Sequence, residues 1–257
     1  MTRVLVAGLG DTGVLCAGAL ARHAMVRRGV SVTGVSPTTG LVSGQELGLR
    51  LTKPDAWSRD YRIPYRSFRR LDRVDVVHGR LVSSDLAART VSVVGADGSP
   101  RELGYDVLVV ATGVANGFWR SDAVRTDDAV ATDLADRHAR LAAAGSVAVV
   151  GGGAAATSAA YNVAVRWPGK RVDLYFPGER GLPQHHGRTW AGVRRRLEAA
   201  GVVLHPGRRA VLPASDEPAP GPVTWSTGQP AADADLVLWA VGRVRPHTGW
   251  LPDSVLD

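Results

Sequence analysis

Two glycine-rich segments contain the residues whose types and spacing point most directly to chemistry. Each is a short apolar run followed by closely spaced small residues and an alanine-rich stretch. The fixed positions are Gly8, Gly10 and Gly13 in the first segment and Gly151, Gly153 and Ala156 in the second. Glycines at the first two positions permit a tight turn and close approach to a pyrophosphate, and a small third residue lets the helix pack on the strand. The pattern predicts two dinucleotide-binding turns.

Each turn has a matching strand further along the chain. The runs Tyr105–Gly113 and Ala234–Gly242 both consist of buried-strand residues, with an aspartate near the start and a glycine at the end. Because the turn and the strand recur in the same order, the repeated unit is a whole domain long. A single glycine turn would be much weaker evidence.

The elements that must position these turns alternate between strands and helices. In the first half the patterns predict strands at 4–7, 30–35, 74–79, 90–94 and 105–111 and a helix at 12–28. In the second half they predict strands at 147–150, 172–176, 202–205, 209–212, 222–226 and 235–241 and a helix at 188–200, with a further helix at 127–144 between the halves. These elements predict an α/β fold of two Rossmann-like dinucleotide-binding domains, each with three layers around a parallel sheet and a β-meander crossover.

Charge and hydropathy limit the classes of partner. The formal net charge is +7, but only Lys53 and Lys170 are lysines, and the arginines are scattered rather than interleaved with base-stacking aromatics. We therefore predict no nucleic-acid partner, while peripheral contact with an anionic membrane surface stays open. No apolar run is long enough to span a bilayer. Gly10, Asp11 and Thr12 interrupt the apolar N-terminus, which argues against a signal peptide and favours a cytoplasmic location.

Cysteine usage excludes one class of mechanism. The single cysteine, Cys16, cannot form a redox pair within the chain, which excludes electron transfer through an intramolecular disulfide. A small buried hydrophobe on the first helix is its commoner role. His185 and His186 are adjacent, but neighbouring side chains point apart and no other ligands accompany them, so we predict no metal site.

With these features the chain resembles the flavoproteins with two dinucleotide-binding domains, the pyridine nucleotide-disulfide oxidoreductase superfamily. The resemblance rests on both glycine turns, both downstream strands and Arg243–Pro246 after the second strand. Lacking a cysteine pair, the chain is most similar to the branch of apoptosis-inducing-factor-like proteins and type II NADH dehydrogenases. The resemblance implies the first part of an FAD-binding domain at 1–115, an inserted NAD(P)-binding domain at 116–245, and the start of a return to the FAD domain at 246–257.

The resemblance also implies the reaction. NAD(P)H would pass a hydride to FAD, and the reduced flavin would pass electrons to a quinone or another small acceptor. Hydride transfer itself needs no side-chain acid or base, so Gln45 and Lys53 are the only catalytic candidates. The sequence indicates neither the acceptor nor the oligomeric state.

By the same resemblance, residues can be assigned to each nucleotide. FAD would be held by Gly8, Gly10, Asp11, Thr12 and Gly13 at its pyrophosphate, Ser36 at a ribose, Arg80 and Leu81 at the adenine, and Ala111, Thr112 and Gly113 where the chain leaves the first domain. NAD(P)H would be held by Gly151, Gly153, Ala154, Ala155 and Ala156, with Phe176 and Arg180 towards its ribose and Gly242 near the nicotinamide. Ser43, Gln45 and Lys53 are candidates for flavin contacts.

Two strand ends depart from the family pattern. The second strand of each half normally ends in an acidic residue that binds a ribose hydroxyl, whereas Ser36 and Phe176 end these strands. A missing carboxylate removes repulsion against a 2′-phosphate, and Arg180 and Arg188 lie nearby in the sequence. We therefore expect NADPH to be accepted and NADH to be tolerated.

The end of the chain is a third departure. The family's chain returns to the FAD domain through a Gly-Asp motif that contacts the ribityl chain and then adds a C-terminal domain, whereas residues 246–257 only begin that return. Two explanations stay open, a truncated sequence and a reduced protein with compromised flavin binding. The alternative function is accordingly a catalytically impaired nucleotide-binding redox sensor or partner-binding module.

Overall fold

Two mainly parallel sheets, one in each half of the chain, organise the structure. The computed structural model describes residues 1–26, 29–42, 47–115, 123–214, 217–242 and 245–256. Residues 1–115 are termed the first half, residues 123–242 the second half, and residues 245–256 the return segment.

The first half alternates strands with short helices. Its strands are β1 (Thr2–Ala7), β2 (Val30–Ser36), β3 (Gly40–Val42), β4 (Arg62–Pro64), β5 (Val74–His78), β6 (Arg80–Asp85), β7 (Thr90–Val94), β8 (Pro100–Gly104), β9 (Val107–Val110) and β10 (Val114–Ala115). Its helices are α1 (Asp11–Val26), α2 (Leu47–Thr52) and α3 (Pro54–Tyr61), with single 3-10 turns at Tyr65–Ser67 and Arg69–Leu71.

The first sheet forms the middle of three layers. Its strands lie in the order β5-β2-β1-β9, and every pairing is parallel. On one face Val6 of β1 packs with Ala17 of α1, and on the other face Leu5 packs with Val91 of the antiparallel β6-β7-β8 meander. Alternate residues of β1 therefore pack into two different cores, as expected for a parallel sheet covered on both sides.

The second half repeats the plan. It comprises α4 (Asp127–Ala143), β11 (Ser146–Val150), α5 (Ala154–Arg166), β12 (Arg171–Tyr175), α6 (Gly187–Ala199), β13 (Val202–His205), β14 (Ala219–Val223) and β15 (Ala232–Trp239). The sheet order is β13-β12-β11-β15-β14, with only β14 antiparallel. Val149 packs with Ala160 of α5 on one face, and Val150 packs with Trp225 on the other. The predicted α/β fold with parallel sheets is confirmed.

The crossover of the second half differs from the predicted strands at 209–212 and 222–226. The structure has β14 earlier in the chain, and near 210 it has only an isolated bridge between Ala210 and Trp225. Proline explains the difference, because Pro220 and Pro222 lack an N–H group and confine β14 to an edge position beside β15.

The return segment lies against the first half. Its strand β16 (Arg245–Pro246) pairs antiparallel with β10, and the backbone N–H of His247 donates to the carbonyl of Gly113 at 3.0 Å. Trp250 is buried in the core that contains Leu5 and Val91. A 3-10 turn at Asp253–Val255 follows. The chain thus leaves and re-enters the first half at neighbouring positions.

Candidate dinucleotide-binding sites

The first glycine turn is closed so tightly that two of its positions exclude any side chain. Gly8 has φ +98°, and a Cβ there would lie 2.4 Å from the carbonyl oxygen of Ala111. A Cβ on Gly13 would lie 1.9 Å from the carbonyl oxygen of Gly8. The Gly8 N–H donates to the Val35 carbonyl at 3.0 Å, which ties the turn to β2. At Gly10, by contrast, a Cβ would meet nothing within 4 Å, so the backbone there borders open space.

The second turn repeats this geometry. Gly151 has φ +143°, and a Cβ there would lie 2.2 Å from the carbonyl oxygen of Ala240. Its N–H donates to the Tyr175 carbonyl at 2.8 Å, the counterpart of the bond from Gly8 to β2. Gly153 borders open space and occupies the N-cap position of α5, while Ala156 takes the third position and is fully buried. Both turns therefore present backbone N–H groups at a helix start, the arrangement that binds an anion.

A cavity of about 520 Å³ opens at the first turn. It brings together the predicted residues Gly8, Gly10, Asp11, Thr12, Ser36, Arg80, Leu81, Ala111, Thr112 and Gly113. Gly13 lies behind them, packed against Gly8. The return segment contributes His247, Gly249 and Trp250 to the lining. The cavity is thus enclosed between the first half and residues that follow the second half.

Ser36, at the end of β2, stands in a chain of buried hydroxyl groups. Tyr65 donates its hydroxyl proton to the Leu9 carbonyl at 2.8 Å, so the Ser36 hydroxyl donates in turn to Tyr65 at 2.8 Å. Burial raises the pKa of Tyr65, which hydrogen bonds with Ser36 and Thr38 only partly offset. With its own proton engaged, Ser36 can still accept a hydrogen bond from a ribose hydroxyl.

Helices supply a further part of the lining, termed the helical wall and defined as Arg50 of α2, Trp57 of α3, and Val130, Asp133, Leu134 and Arg137 of α4. Asp133 pairs with the Nε of Arg137 at 2.9 Å and with the Nη2 of Arg125 at 3.2 Å. Burial lowers the pKa of Arg137, but its bonds to Glu217 and Asp133 outweigh this and raise the pKa overall. The sequence did not identify this wall. A single tryptophan in the polar stretch Pro54–Tyr61 was the one available signal.

The three flavin candidates from the segment after β3 fall elsewhere. Ser43 and Gln45 lie outside the described residues. Lys53 is exposed at the N-cap position of α3 and is not among the cavity-lining residues. The lining residue of this helix is Trp57, one turn further on.

The residues assigned to NAD(P)H surround the second turn. Ala154 and Ala155 form the first turn of α5, and Gly242 follows β15 with φ +71°. Phe176 is buried, packs edge-on against Trp190 and lies beneath Gly152, so it supports the turn from the core. Arg180 is exposed, and its Nη2 donates to the Pro183 carbonyl at 3.4 Å.

The described residues contain neither a membrane-spanning helix nor a cluster of metal-binding side chains. No helix in these parts of the chain is both long and apolar enough to cross a membrane. The same residues include no group of three or more His, Cys, Asp or Glu side chains placed to hold a metal ion. Cys16 is a partly exposed free thiol on α1.

The fold is similar to that of several solved oxidoreductases. The water-forming NADH oxidase from Lactobacillus brevis, bound to NADH, is 17% identical with a TM-score of 0.67, and the match covers 96% of this chain and 55% of that one. A ferredoxin reductase from Rhodopseudomonas palustris is 22% identical with a TM-score of 0.72 over 96% and 60%. NDH2 from Plasmodium falciparum, in complex with NADH, is 13% identical with a TM-score of 0.72 over 96% and 56%. The chain spans about half the length of these structures.

Sequence comparison with curated proteins gives no match. A family model does match, over residues 2–254, and its description is pyridine nucleotide-disulphide oxidoreductase. The matched range includes both glycine turns, both sheets and most of the return segment. Proteins of this family are NAD(P)H-dependent flavoprotein oxidoreductases. Because the match extends over nearly the whole chain, the protein belongs to the pyridine nucleotide-disulphide oxidoreductase family.

Proposed function

We propose that this chain is the nucleotide-binding part of an FAD-dependent NAD(P)H oxidoreductase, in which hydride passes from NAD(P)H to flavin and electrons then pass to a quinone or another small acceptor. The observation that carries the proposal is the pair of matching glycine turns, the first of which opens into a cavity of about 520 Å³. Membership of the family supports the reaction class.

The residues around the cavity fit FAD. Open space beside Gly10 and the N-terminus of α1 leave room and positive potential for a diphosphate. Ser36 can accept a ribose hydroxyl, and Arg80 and Leu81 border the same cavity at the start of β6. We assign residues 1–115 to the FAD-binding domain, 116–245 to an inserted NAD(P)-binding domain and 246–257 to the start of the return, a division that the pairing of β10 with β16 supports.

Helix α2 connects the two candidate sites. Its Arg50 lines the cavity, while Gly48 on the same helix packs against Ser158 of α5, the helix that begins at the second turn. A Cβ on Gly48 would lie 2.6 Å from the backbone of Ser158, so the two helices are in close contact. This contact supports the approach of a nicotinamide held by the second half to a ring held in the cavity.

The chemistry of hydride acceptance belongs to FAD, and the protein contributes alignment and a dry environment. Trp250 closes the cavity from the return segment, and its indole Nε1 donates to the His247 carbonyl at 2.9 Å. On the helical wall, Asp133 fixes two arginines beside the cavity. These contacts fix side chains of the lining on two sides of the cavity.

We further propose that NADPH is accepted and NADH tolerated. Phe176 directly follows β12 and supplies no carboxylate. Arg180 lies beside the start of α6, where a Cβ on Gly187 would be 3.2 Å from its Nη1. An arginine at a helix N-terminus favours a 2′-phosphate. Glu179, exposed in the same loop, offers an acceptor for the ribose hydroxyl of NADH.

The cofactor preference is tested by comparing kcat/KM for the two nucleotides. Arg180→Ala should lower kcat/KM for NADPH about tenfold, roughly one charge-assisted hydrogen bond, and leave NADH unchanged. Arg194→Ala is the matched control, because Arg194 is exposed on α6 and pairs with Glu198. A wild-type ratio strongly favouring NADH would contradict the proposal.

The proposed reaction is tested on the purified 257-residue chain, titrated with FAD and then with NADPH in the absence of oxygen. We expect a bound-flavin spectrum that NADPH bleaches and a water-soluble quinone restores. A chain that binds no FAD would overturn the proposal. FAD binding without bleaching would instead support a nucleotide-binding redox sensor or partner-binding module.

A further inference from the structure

Trp57 is the largest fully buried side chain in the described part of the molecule, yet it does not belong to an apolar core. Its side chain is 1% exposed. The four clusters of buried apolar residues, which fill the faces of both sheets, do not include it. The indole lies instead in the helical wall, where it lines the cavity. Its position is therefore explained by the cavity rather than by a core.

The indole nitrogen of Trp57 lacks a hydrogen-bond acceptor among the described residues, and it is also hidden from water. Two other tryptophans show the usual arrangement. Trp225 donates to the Pro230 carbonyl at 3.0 Å, and Trp250 donates to the His247 carbonyl at 2.9 Å. A buried donor left without an acceptor costs about 1–3 kcal/mol. An unsatisfied donor beside a cavity indicates that a ligand supplies the acceptor.

A neighbouring arginine holds the indole and strengthens it as a donor. The guanidinium carbon of Arg50 lies 4.3 Å from the centre of the Trp57 ring, within the range of a cation–π contact. A cation over the ring draws electron density from the indole and makes its N–H a better donor. The backbone N–H of Trp57 also bonds to the Lys53 carbonyl at 2.9 Å, in the first turn of α3. The ring is thus held beside the cavity by contacts within the protein.

The two ends of the cavity indicate which part of a dinucleotide reaches Trp57. Gly10 borders the space suited to the diphosphate, and Ser36, Arg80 and Leu81 are suited to the adenosine side. The helical wall is left for the other end of the molecule, which in FAD is the isoalloxazine ring. The pyrimidine edge of that ring carries carbonyl oxygens, which accept hydrogen bonds, and an indole N–H can only donate.

We propose that Trp57 donates its Nε1–H to a carbonyl oxygen on the pyrimidine edge of the isoalloxazine ring, with Arg50 holding the indole in place. This inference rests on the proposed function, since it takes FAD as the occupant of the cavity. It assigns the orienting contact at the ring to α3, one helical turn beyond Lys53.

Trp57→Phe tests the inference, because phenylalanine keeps an aromatic ring and removes the donor. We expect FAD to bind about tenfold more weakly to this variant, with a shifted visible absorption band for the bound flavin. Because phenylalanine is smaller than the fully buried indole, the melting temperature without FAD should fall, so FAD affinity is compared on folded samples. Arg50→Met, which keeps the indole and removes the cation, should weaken FAD binding by a smaller factor of about three.

Trp225→Phe is the matched control, because Trp225 has a satisfied donor in the second half. It should lower the melting temperature and leave FAD affinity unchanged. Equal FAD affinity in Trp57→Phe and wild type would overturn the inference, as would an equal loss of FAD affinity in Trp225→Phe. A wild-type chain that binds no FAD would overturn the proposed function itself, and this outcome is visible before any variant is made.

Discussion

The two halves of the molecule contain the same glycine turn, but only the turn of the second half has space for a side chain at its third position. In each, the first glycine has a positive φ and hydrogen-bonds to the neighbouring strand, and its missing side chain accommodates the carbonyl at the end of the downstream strand. At the third position the first half requires Gly13, whereas the second half accommodates Ala156. The second position borders open space in both turns, while the third reflects how closely each helix approaches its strand.

The halves differ again at the sheet edge. In the second half β15 is covered by β14, and Leu238 is fully buried. In the first half the corresponding strand β9 is the last of its sheet, and Val107 and Val110 are 46% and 47% exposed. A parallel strand is usually covered on both sides, so the first half is the less completely packed of the two.

Substitutions at the third turn position should give the largest difference in stability between the two halves. Gly13→Ala should lower the free energy of unfolding by roughly 4 kcal/mol, above the usual cost of overpacking, because the new Cβ meets backbone rather than a flexible side chain. It should also abolish FAD binding. The matched change Ala156→Gly should cost only about 1 kcal/mol, the helix-propensity difference. Urea unfolding with an FAD titration measures both, and equal costs would contradict the asymmetry between the turns.

Truncation of a side chain in β15 and in β9 should give the next largest difference in the free energy of unfolding. Leu238→Ala in β15 should lower the free energy of unfolding by about 3 kcal/mol, since it removes a fully buried side chain. Val110→Ala in β9 should change it by less than about 1 kcal/mol, because the valine is half exposed. Denaturant unfolding of the two variants decides the matter. A large cost at Val110 would show that β9 is covered in solution.

Asp106 and Asp235, at the downstream strands of the two halves, should give the smallest difference in stability. Hydrogen bonds from the side chain and the backbone N–H of Arg3 lower the pKa of Asp106. The backbone N–H and hydroxyl of Ser146 and the backbone N–H of Gly145 lower the pKa of Asp235. Both folded pKa values lie below the ordinary value of 3.8, so the stabilisation is complete well above pH 4 and is lost as the pH falls through the folded pKa values.

The stabilisation by these two carboxylates should depend differently on salt concentration. The largest contribution at Asp106 is an exposed ion pair with Arg3, whereas Asp235 is stabilised mainly by neutral donors, with a smaller contribution from the charge of Arg171. Salt at 0.5 M should therefore weaken the contribution of Asp106 more than that of Asp235. Thermal unfolding of Asp106→Asn and Asp235→Asn between pH 7 and pH 3, at low and high salt, measures the effect. Identical salt responses in the two variants would remove this distinction between the halves.

The parts of the site that the sequence predicted are those encoded by neighbouring residues. A strand, a turn and a helix start lie within ten positions, so glycine spacing alone predicted the two tight turns, in which Gly8 and Gly151 have positive φ. The helical wall could not be predicted in this way, because Trp57 and Leu134 reach the same cavity only through the packing of α2, α3 and α4. Lys53 was a candidate by the family resemblance, but α3 begins after it and leaves it exposed.

The burial of Trp250 has a consequence for the order of folding. Its carbonyl accepts a bond from Ser84, 166 residues earlier, and its ring completes a core of the first half. The elements of the second half are contiguous between these two points, so they can pack as soon as they are synthesised, without a long loop to close. We expect amide protection to appear first in β11, β12 and β15 and only later in β1 and β7. During synthesis on a ribosome, the first half of the chain would therefore be made first but would complete its fold last.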